Sequence, residues 1–221
     1  MQAAQKAYKG LAMEGAIATW YAKNTARDQR RFTDTARAIA ERVQAGGRIL
    51  EVAPGPGYLA IELAKRGYAV TAMDISRSFV RIARNNAAEA GVAMTVEQGN
   101  ASAMPFADST FDYVVCMAAF KNFTDPVGAI NEMHRVLRPG GRASIYDLRK
   151  DAPADDIAAE VRDMQLSIWN ALLTRFIFRF GLLRAAYTRE QLEQMAARSR
   201  FDGCEIVTAG IGFELRLIRQ G

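Results

Sequence analysis

The chain has 221 residues, half of them hydrophobic, and its 29 Lys and Arg against 24 Asp and Glu give a formal net charge of +5. This size and composition predict one globular domain with its own core. The two cysteines, Cys116 and Cys204, are far apart and His134 is the only histidine, so we expect neither a disulfide framework nor a metal site. Positive charge forms no long run, which does not favour a nucleic acid as partner.

The sequence predicts neither a targeting peptide nor a membrane span. Charged residues interrupt the apolar residues near the N-terminus, which argues against a signal peptide. No uncharged apolar stretch reaches the roughly 18 residues that a transmembrane helix needs. Together with the low cysteine content, these features predict a cytoplasmic location.

Strand-like and helix-like segments alternate from residue 48 onward. Ser76 and Asp125 stand where helix N-caps belong, and Pro139-Gly140-Gly141 stops the helix that Asp125 starts. This alternation predicts an α/β fold with a doubly wound, mostly parallel sheet. The predicted strands of this region are residues 48–53, 68–75, 94–97, 111–118 and 142–148.

The flanking segments complete the predicted domain. Residues 1–45 are predicted as an N-terminal helical cap, 46–150 as the cofactor-binding core, 151–187 as a helical lid, and 188–221 as a closing helix and hairpin. Thr188 is the predicted N-cap of the closing helix. Strands at 204–209 and 213–219, joined by Gly210-Ile211-Gly212, add an antiparallel hairpin. The prediction is therefore a Rossmann-like sheet of seven strands within a single domain.

A glycine turn follows the first predicted strand. Gly55, Gly57 and Ala60 form a G-x-G-x-x-A pattern, and Asp74 ends the second strand where an acid would bind ribose hydroxyls. The pattern alone allows a dinucleotide. Glu51, however, would repel a pyrophosphate and suits a ligand with a cationic group. A nucleoside with a positively charged tail is thus the alternative that Glu51 favours.

Four segments carry a resemblance to a known family. They are ILEVAPGPG at residues 49–57, MDIS at 73–76, GNASAMPFADSTFD at 99–112 and RVLRPGG at 135–141. In this order they resemble the class I S-adenosylmethionine-dependent methyltransferases, most of all the subgroup that acts on small molecules and on quinone or lipid precursors. The resemblance covers residues 45–150 and, more loosely, the closing hairpin.

The resemblance implies S-adenosyl-L-methionine as cofactor, S-adenosyl-L-homocysteine as product, and a set of binding residues. The methionine part would be held by Glu51, Ala53, Pro54, Gly55 and Gly57. The family usually has glycine where Ala53 stands, so the turn is stiffer here and the cofactor's position is in question.

The remaining cofactor contacts follow from the same resemblance. Asp74 would bind the ribose hydroxyls, Ile75 would pack on the adenine, and Asn100 with Ala101 would bind the adenine edge. Asn100 stands where the family commonly has aspartate, although an amide oxygen can still accept a hydrogen bond. Met117 and Ala118 would border the sulfonium.

Candidate catalytic residues follow the fourth and fifth strands, because open sheets bind ligands at the carboxyl ends of their strands. They are Lys121, Tyr146 and Asp147. A lysine beside a sulfonium suits an anionic acceptor or a neutral lysine, and otherwise its ammonium simply reaches solvent. Tyr146 and Asp147 alternate along a strand, so only one of them faces the pocket. His134 is predicted to lie on a helix away from it.

The predicted function is methyl transfer to a small, apolar or aromatic acceptor. Residues 157–187 and the N-terminal helices with Tyr8, Trp20 and Tyr21 would form the acceptor's roof. The roof is apolar but carries Arg175, Arg179 and Arg184, so contact with a membrane surface is an alternative to a simple lid. An NAD-dependent oxidoreductase and a non-catalytic cofactor-binding protein stay open, as does the choice between monomer and homodimer.

Overall fold

A computed structural model describes residues 8–9, 13–163 and 183–221 of the chain. Its strands are β1 Arg48–Val52, β2 Ala69–Asp74, β3 Thr95–Gln98, β4 Phe111–Met117, β5 Leu137–Leu148, β6 Glu205–Ala209 and β7 Gly212–Ile218. Its helices are α1 Gly15–Thr25, α2 Gln29–Ala40, α3 Tyr58–Lys65, α4 Arg77–Glu89, α5 Pro126–Val136, α6 Ala154–Asp163 and α7 Arg189–Ala197. Short 3-10 turns cover Phe120–Asn122 and Leu183–Ala185.

The seven strands form one mixed sheet in the order β3-β2-β1-β4-β5-β7-β6. Strands β1 to β5 run parallel, and β7 pairs antiparallel with both β5 and β6. This confirms the predicted Rossmann-like sheet with its closing hairpin. The order reverses between β1 and β4, so the carboxyl ends of these two strands flank the crevice where such sheets bind ligands.

Two predictions about element boundaries are wrong. The fifth strand was expected from residue 142, but β5 begins at Leu137, which pairs with Phe111 before the register shifts to Tyr113 opposite Arg142. Pro139-Gly140-Gly141 therefore ends α5 yet lies within the strand as an irregularity, with Gly140 at φ +78°. The helical segment predicted from residue 151 begins only at Ala154, the first residue of α6. Trp169, Arg175 and Arg179 lie outside the described residues.

Side-chain caps define the helix starts that the sequence predicts. Ser76 Oγ accepts a hydrogen bond from Phe79 N at 3.1 Å. Asp125 Oδ1 accepts from Gly128 N at 2.8 Å. Thr188 forms a capping box with Gln191 at the start of α7. All three predicted caps are confirmed.

The sheet has a hydrophobic cluster on each face. Leu50, Val114, Cys116 and Ile145 belong to the cluster that includes α5 and α7, whereas Ile49, Tyr113 and Val115 belong to the cluster that includes α2, α3 and α4. Because side chains alternate along a strand, these clusters fix the face on which each residue at a strand end lies. No helix in the described ranges is long and apolar enough to span a bilayer.

A charged network joins β5 and β7 on the α2 face. Glu214 accepts hydrogen bonds from Ser144 Oγ at 2.9 Å, Tyr146 OH at 2.8 Å and Arg216 Nη2 at 2.7 Å. It also forms an ion pair with Arg42. Burial opposes ionisation of Glu214, but these donors outweigh it and lower its pKa to about 2. The network thus fastens the loop after α2 to the closing hairpin.

We expect Glu214→Gln to destabilise the protein by about 2–4 kcal/mol at pH 7, because Arg42 loses its charged partner and Arg216 is left with the exposed Glu205. The pKa of Glu214 is lowered from 4.5 to about 2 in the folded protein, so its stabilisation is complete above the unfolded value and is lost as the pH falls between them. Urea unfolding at pH 7 and pH 3.5 measures this. The free energy of unfolding should fall less between the two pH values in the variant than in the parent.

Glu205→Gln is the matched control, since Glu205 pairs with the same Arg216 at 3.1 Å but its side chain is 64% exposed. We expect it to change stability by less than about 1 kcal/mol. Equal effects of the two substitutions would contradict the assigned role of Glu214.

Candidate functional site

The turn between β1 and α3 has a strained, closely packed backbone. Ala53, Gly55 and Gly57 all have left-handed conformations, with φ of +55°, +55° and +82°. At Ala53 this conformation is unfavourable for a residue with a side chain, and Ala53 N is held by Met73 O at 2.8 Å. A side-chain carbon on Gly57 would lie 3.0 Å from Ala83 Cβ. Glycine at 57 therefore lets the turn pack directly on α4.

Asp74 ties this turn to the end of β2. Its Oδ2 accepts a hydrogen bond from Gly55 N at 3.0 Å, and its Oδ1 accepts from Ser76 N at 2.8 Å. Burial raises the pKa of Asp74 to about 6, while the two amides act in the opposite direction. Each oxygen keeps a lone pair for a further donor. The sequence predicts a ribose contact for Asp74, and the structure adds that Asp74 fastens the glycine turn.

Glu51 is a buried acid with an unused oxygen. Glu51 is the penultimate residue of β1, and only 2% of it is exposed. Its Oε2 has no hydrogen-bond partner in the described part of the chain. Burial, together with the charge of Asp74, raises the pKa of Glu51 to about 8, against a hydrogen bond from the Ala60 amide. Because buried polar groups are normally paired, this oxygen fits a cationic ligand group.

These features fit the cofactor that the resemblance implies. The left-handed turn has no side chain at Gly55 and Gly57, which leaves room for a ligand close to the backbone. Glu51 has an unpaired oxygen for an ammonium group, and Asp74 can accept further hydrogen bonds from hydroxyls. On the adenine side, Ile75 and Ala101 are half-buried, and Asn100 Oδ1 already accepts from Ser102 N at 3.0 Å. An adenine amino group would share that oxygen. The individual contacts to the cofactor stay predictions.

Tyr21 of α1 forms a wall of the same site. Its Cε1 lies 3.9 Å from where a side-chain carbon on Gly55 would be, and its ring meets Phe79 edge-on with centroids 5.7 Å apart. Burial raises the pKa of Tyr21, Arg31 opposes this, and the charges of Asp147 and Asp74 add to the rise. The phenol thus lies between the glycine turn and the ends of β4 and β5. Sequence reasoning placed Tyr21 in the roof and missed this contact.

Lys121 and Asp147 form an ion pair at the ends of β4 and β5. Lys121 Nζ lies 2.8 Å from Asp147 Oδ1 and donates to Ala118 O at 3.1 Å, while Lys121 N donates to Asp147 Oδ2 at 2.9 Å. The side chains are only 11% and 1% exposed. The alternative in which the ammonium simply reaches solvent is therefore wrong. Ala118 itself is left-handed, with φ +59°.

Tyr146 lies apart from this pair. Its side chain points to the opposite face of β5, packs with the α2 cluster and donates to Glu214. Burial raises the pKa of Tyr146. Of the two alternating candidates, Asp147 is the one that joins Lys121. Met117 is half-buried on the face of Tyr146. His134 packs edge-on against Phe201, with centroids 4.9 Å apart, as a helix-packing residue would.

Comparison with known proteins agrees with this geometry. Residues 50–145 match the family model described as a methyltransferase domain. The ubiquinone/menaquinone biosynthesis C-methyltransferase UbiE of Pseudomonas fluorescens is 31% identical over 174 residues, which are 72% of this chain and 67% of that protein. UbiE of Marinomonas sp. is 34% identical over 127 residues, 55% of this chain and 49% of that protein. The chain spans about half the length of several of the curated relatives that it matches.

Solved structures show the same fold. A putative S-adenosyl-L-methionine-dependent methyltransferase from Methanococcus maripaludis superposes with a TM-score of 0.74 at 22% identity, covering 96% of both chains. A SAM-dependent methyltransferase from Aquifex aeolicus has a TM-score of 0.66 at 16% identity, covering 83% of this chain and 89% of that one.

The pKa of Glu51 leads to a prediction about proton release. At pH 7 a carboxyl with a pKa of about 8 is mostly protonated, and pairing with a ligand ammonium lowers that pKa, so binding should release close to one proton. Isothermal titration with S-adenosylhomocysteine in buffers of different ionisation enthalpy measures this release. Glu51→Gln should abolish the release and weaken binding about tenfold to a hundredfold.

Glu62→Gln serves as the control, because Glu62 lies on α3 but pairs with Lys65 at 2.9 Å and with Arg66 at 3.1 Å. It should bind and release protons like the parent. If Glu51→Gln retained both the affinity and the proton release, Glu51 would not be the ammonium partner.

Proposed function

We propose that this chain, which belongs to the class I S-adenosylmethionine-dependent methyltransferases, transfers a methyl group to a small hydroxylated aromatic acceptor. The observation that carries the methyl-transfer part is Glu51, a buried acid with an unused oxygen beside a glycine turn that Asp74 holds in place. The aromatic acceptor is supported by the similarity to quinone-biosynthesis C-methyltransferases and by the charge arrangement at the ends of β4 and β5.

On the cofactor side, the chain's residues bind and orient. Glu51 pairs with the ammonium group, the turn from Ala53 to Gly57 follows the methionine part, and Asp74 accepts from the ribose hydroxyls. When bound, the cofactor supplies a methyl group on a positively charged sulfur, which is already an activated leaving group. The protein's contribution is then mainly proximity and orientation. Tyr21 and Phe79 close one wall and exclude water from the turn.

On the acceptor side, Lys121 is the candidate catalytic residue and Asp147 the positioning residue. The ammonium has three hydrogens, and Asp147 Oδ1 and Ala118 O accept two of them. The third can be donated to an acceptor oxygen. An aromatic hydroxyl held in this way has a lowered pKa, so it releases its proton to solvent water more readily, and the negative charge that remains makes both the oxygen and the neighbouring ring carbons nucleophilic.

The ion pair also explains how a lysine can lie near a cationic ligand. Lys121 and Asp147 together carry no net charge, so the repulsion between Lys121 and a sulfonium is offset by the attraction of Asp147. A neutral pair with one unused hydrogen selects an acceptor that is acidic but not permanently charged. Phenols and quinols have this property, whereas aliphatic alcohols and amines do not.

An oxidoreductase with a dinucleotide cofactor fits the site less well. Glu51 would have to stay protonated beside a pyrophosphate, and its unpaired Oε2 would gain no cationic partner. A methyl-transfer assay with labelled cofactor over quinol precursors, simple phenols, amines and thiols tests the proposal. We expect label in the quinols and phenols. Transfer to amines alone would contradict the proposed acceptor, and hydride transfer from NADH would contradict the reaction class.

Lys121→Met should lower kcat/KM by about a hundredfold to a thousandfold, because the developing oxyanion loses a charged donor. The loss should be smaller for electron-poor phenols, which are already ionised, and the Kd of S-adenosylhomocysteine should change less than about threefold. A plot of log kcat/KM against acceptor pKa compares the two enzymes. Asp147→Asn tests the positioning role. We expect a smaller loss of kcat/KM that depends on the acceptor pKa in the same way.

Lys150→Met is the control, since Lys150 is an exposed lysine just after β5, the strand that carries Asp147. It should leave turnover unchanged. Circular dichroism and cofactor affinity establish that the Lys121 variant is folded. A folded Lys121→Met enzyme with parental kcat/KM for every acceptor would exclude Lys121 from the chemistry.

A further inference from the structure

The inner face of helix α1 packs against the rest of the domain. Ala18 is 0% and Ala22 7% exposed, and Tyr58 OH donates to Ala22 O at 3.0 Å. Tyr21, on the same side, contacts the glycine turn and Phe79. These contacts fix the rotation of the helix about its axis, so its opposite face points outward.

The outer face of α1 carries two large apolar side chains. Trp20 is 67% exposed and lies opposite Ala18 and Ala22 on the helix, and Ile17, one turn before it, is 45% exposed. Among the described residues, the one other large hydrophobic residue as exposed as these is Ile218 on β7. Exposed apolar side chains normally lie singly, whereas an exposed tryptophan next to a second exposed apolar residue is typical of an interaction surface.

Positive charge follows this apolar pair along the chain. Lys23 follows Trp20 by one turn, and Arg27, Arg30 and Arg31 follow at the corner between α1 and α2. Against these four cations, residues 23–31 hold one acid, Asp28, so that a net +3 of the chain's +5 lies here. Arg30 is 96% exposed, and its contact with Asp34 is a long one of 3.8 Å. Such exposed pairs neutralise little charge.

From this arrangement we infer that Ile17, Trp20, Lys23, Arg27 and Arg30, together the α1 docking surface, bind the surface of an anionic lipid bilayer. An indole ring prefers the membrane interface, where its apolar body enters the acyl boundary and its N–H stays near the headgroups. Lysine and arginine beside it attract anionic headgroups. The surface combines a tryptophan and a lysine on α1 with arginines in the segment that follows it, and apolar residues beside basic ones are the pattern of interfacial helices.

Charge favours a bilayer over a second copy of the chain. In a symmetric dimer the same patch meets itself, so two surfaces of +3 would face each other. A bilayer of anionic lipids carries negative charge, opposite to that of the patch, and has an apolar layer just below its headgroups. The inference concerns this outer surface only and does not depend on the identity of the acceptor.

The position of the surface has a mechanistic consequence. Trp20 and Tyr21 are adjacent residues, one facing outward and the other lining the cofactor turn. A bilayer bound at Trp20 would therefore lie one helix thickness, roughly 10 Å, from the site wall. An acceptor dissolved in the lipid would have a short path to Lys121.

Sedimentation with sucrose-loaded vesicles tests the inference without cofactor or acceptor. We expect binding to vesicles of phosphatidylcholine mixed with phosphatidylglycerol, little binding to phosphatidylcholine alone, and weakening by salt. Trp20→Ser should reduce the partition coefficient about tenfold, and Arg27→Glu with Arg30→Glu at least as much. Ile218→Ser is the matched control, because Ile218 is an apolar residue on another surface that is as exposed as Ile17, and it should bind like the parent.

Three results would overturn the inference. The first is the absence of binding to anionic vesicles by the parent protein, and the second is equal binding by the Trp20, arginine and Ile218 variants. The third is a dimer in sedimentation equilibrium that Trp20→Ser dissociates, since the surface would then be an interface between copies. If Trp20→Ser did not fold, the arginine variant, whose changes are fully on the surface, would still decide. A negative vesicle result leaves the methyl-transfer proposal standing, since no turnover is measured.

Discussion

The hydrogen bonds of Asp74 hold the functional edge of the sheet together. One carboxylate accepts from the amide of Gly55 in the turn after β1 and from the amide of Ser76 at the start of α4. The turn after β1, the end of β2 and the start of α4 thus meet at a single side chain. The geometry of the turn, including the strained conformation of Ala53, depends on this anchor, and burial makes the anchor electrostatically costly, as its raised pKa shows.

The site divides into two electrostatic halves. On one side lie the two buried acids, Glu51 and Asp74, without a basic partner among the described residues. On the other side lies the Lys121 and Asp147 pair, which is neutral as a unit. Such a site suits a ligand whose positive charge lies toward the first half and whose reacting partner is close to neutral. Helix α1 closes the site through Tyr21 and presents its charged and apolar outer face to the surroundings.

Much of this could be predicted from the sequence, because local signals determined it. Ser76, Asp125 and Thr188 are caps whose hydrogen bonds involve neighbours in the chain, and the alternation of strands and helices gave the sheet. The start of β5 could not be predicted, because Pro139-Gly140-Gly141 is a stop signal that here lies within a bulged strand. Alternation showed that Tyr146 and Asp147 face opposite sides, but not which one meets Lys121. That depends on the twist of the sheet and on Glu214, which is distant in sequence.

The protonated state of Glu51 in the free protein also affects how quickly a ligand finds the site. With Glu51 neutral and Lys121 paired, the empty crevice presents chiefly the charge of Asp74, so its field on an approaching cation is weak. Attraction develops only at contact, as the proton leaves Glu51. Association of a cationic cofactor would then depend little on ionic strength, and its affinity would be determined by how slowly it leaves rather than by how fast it arrives.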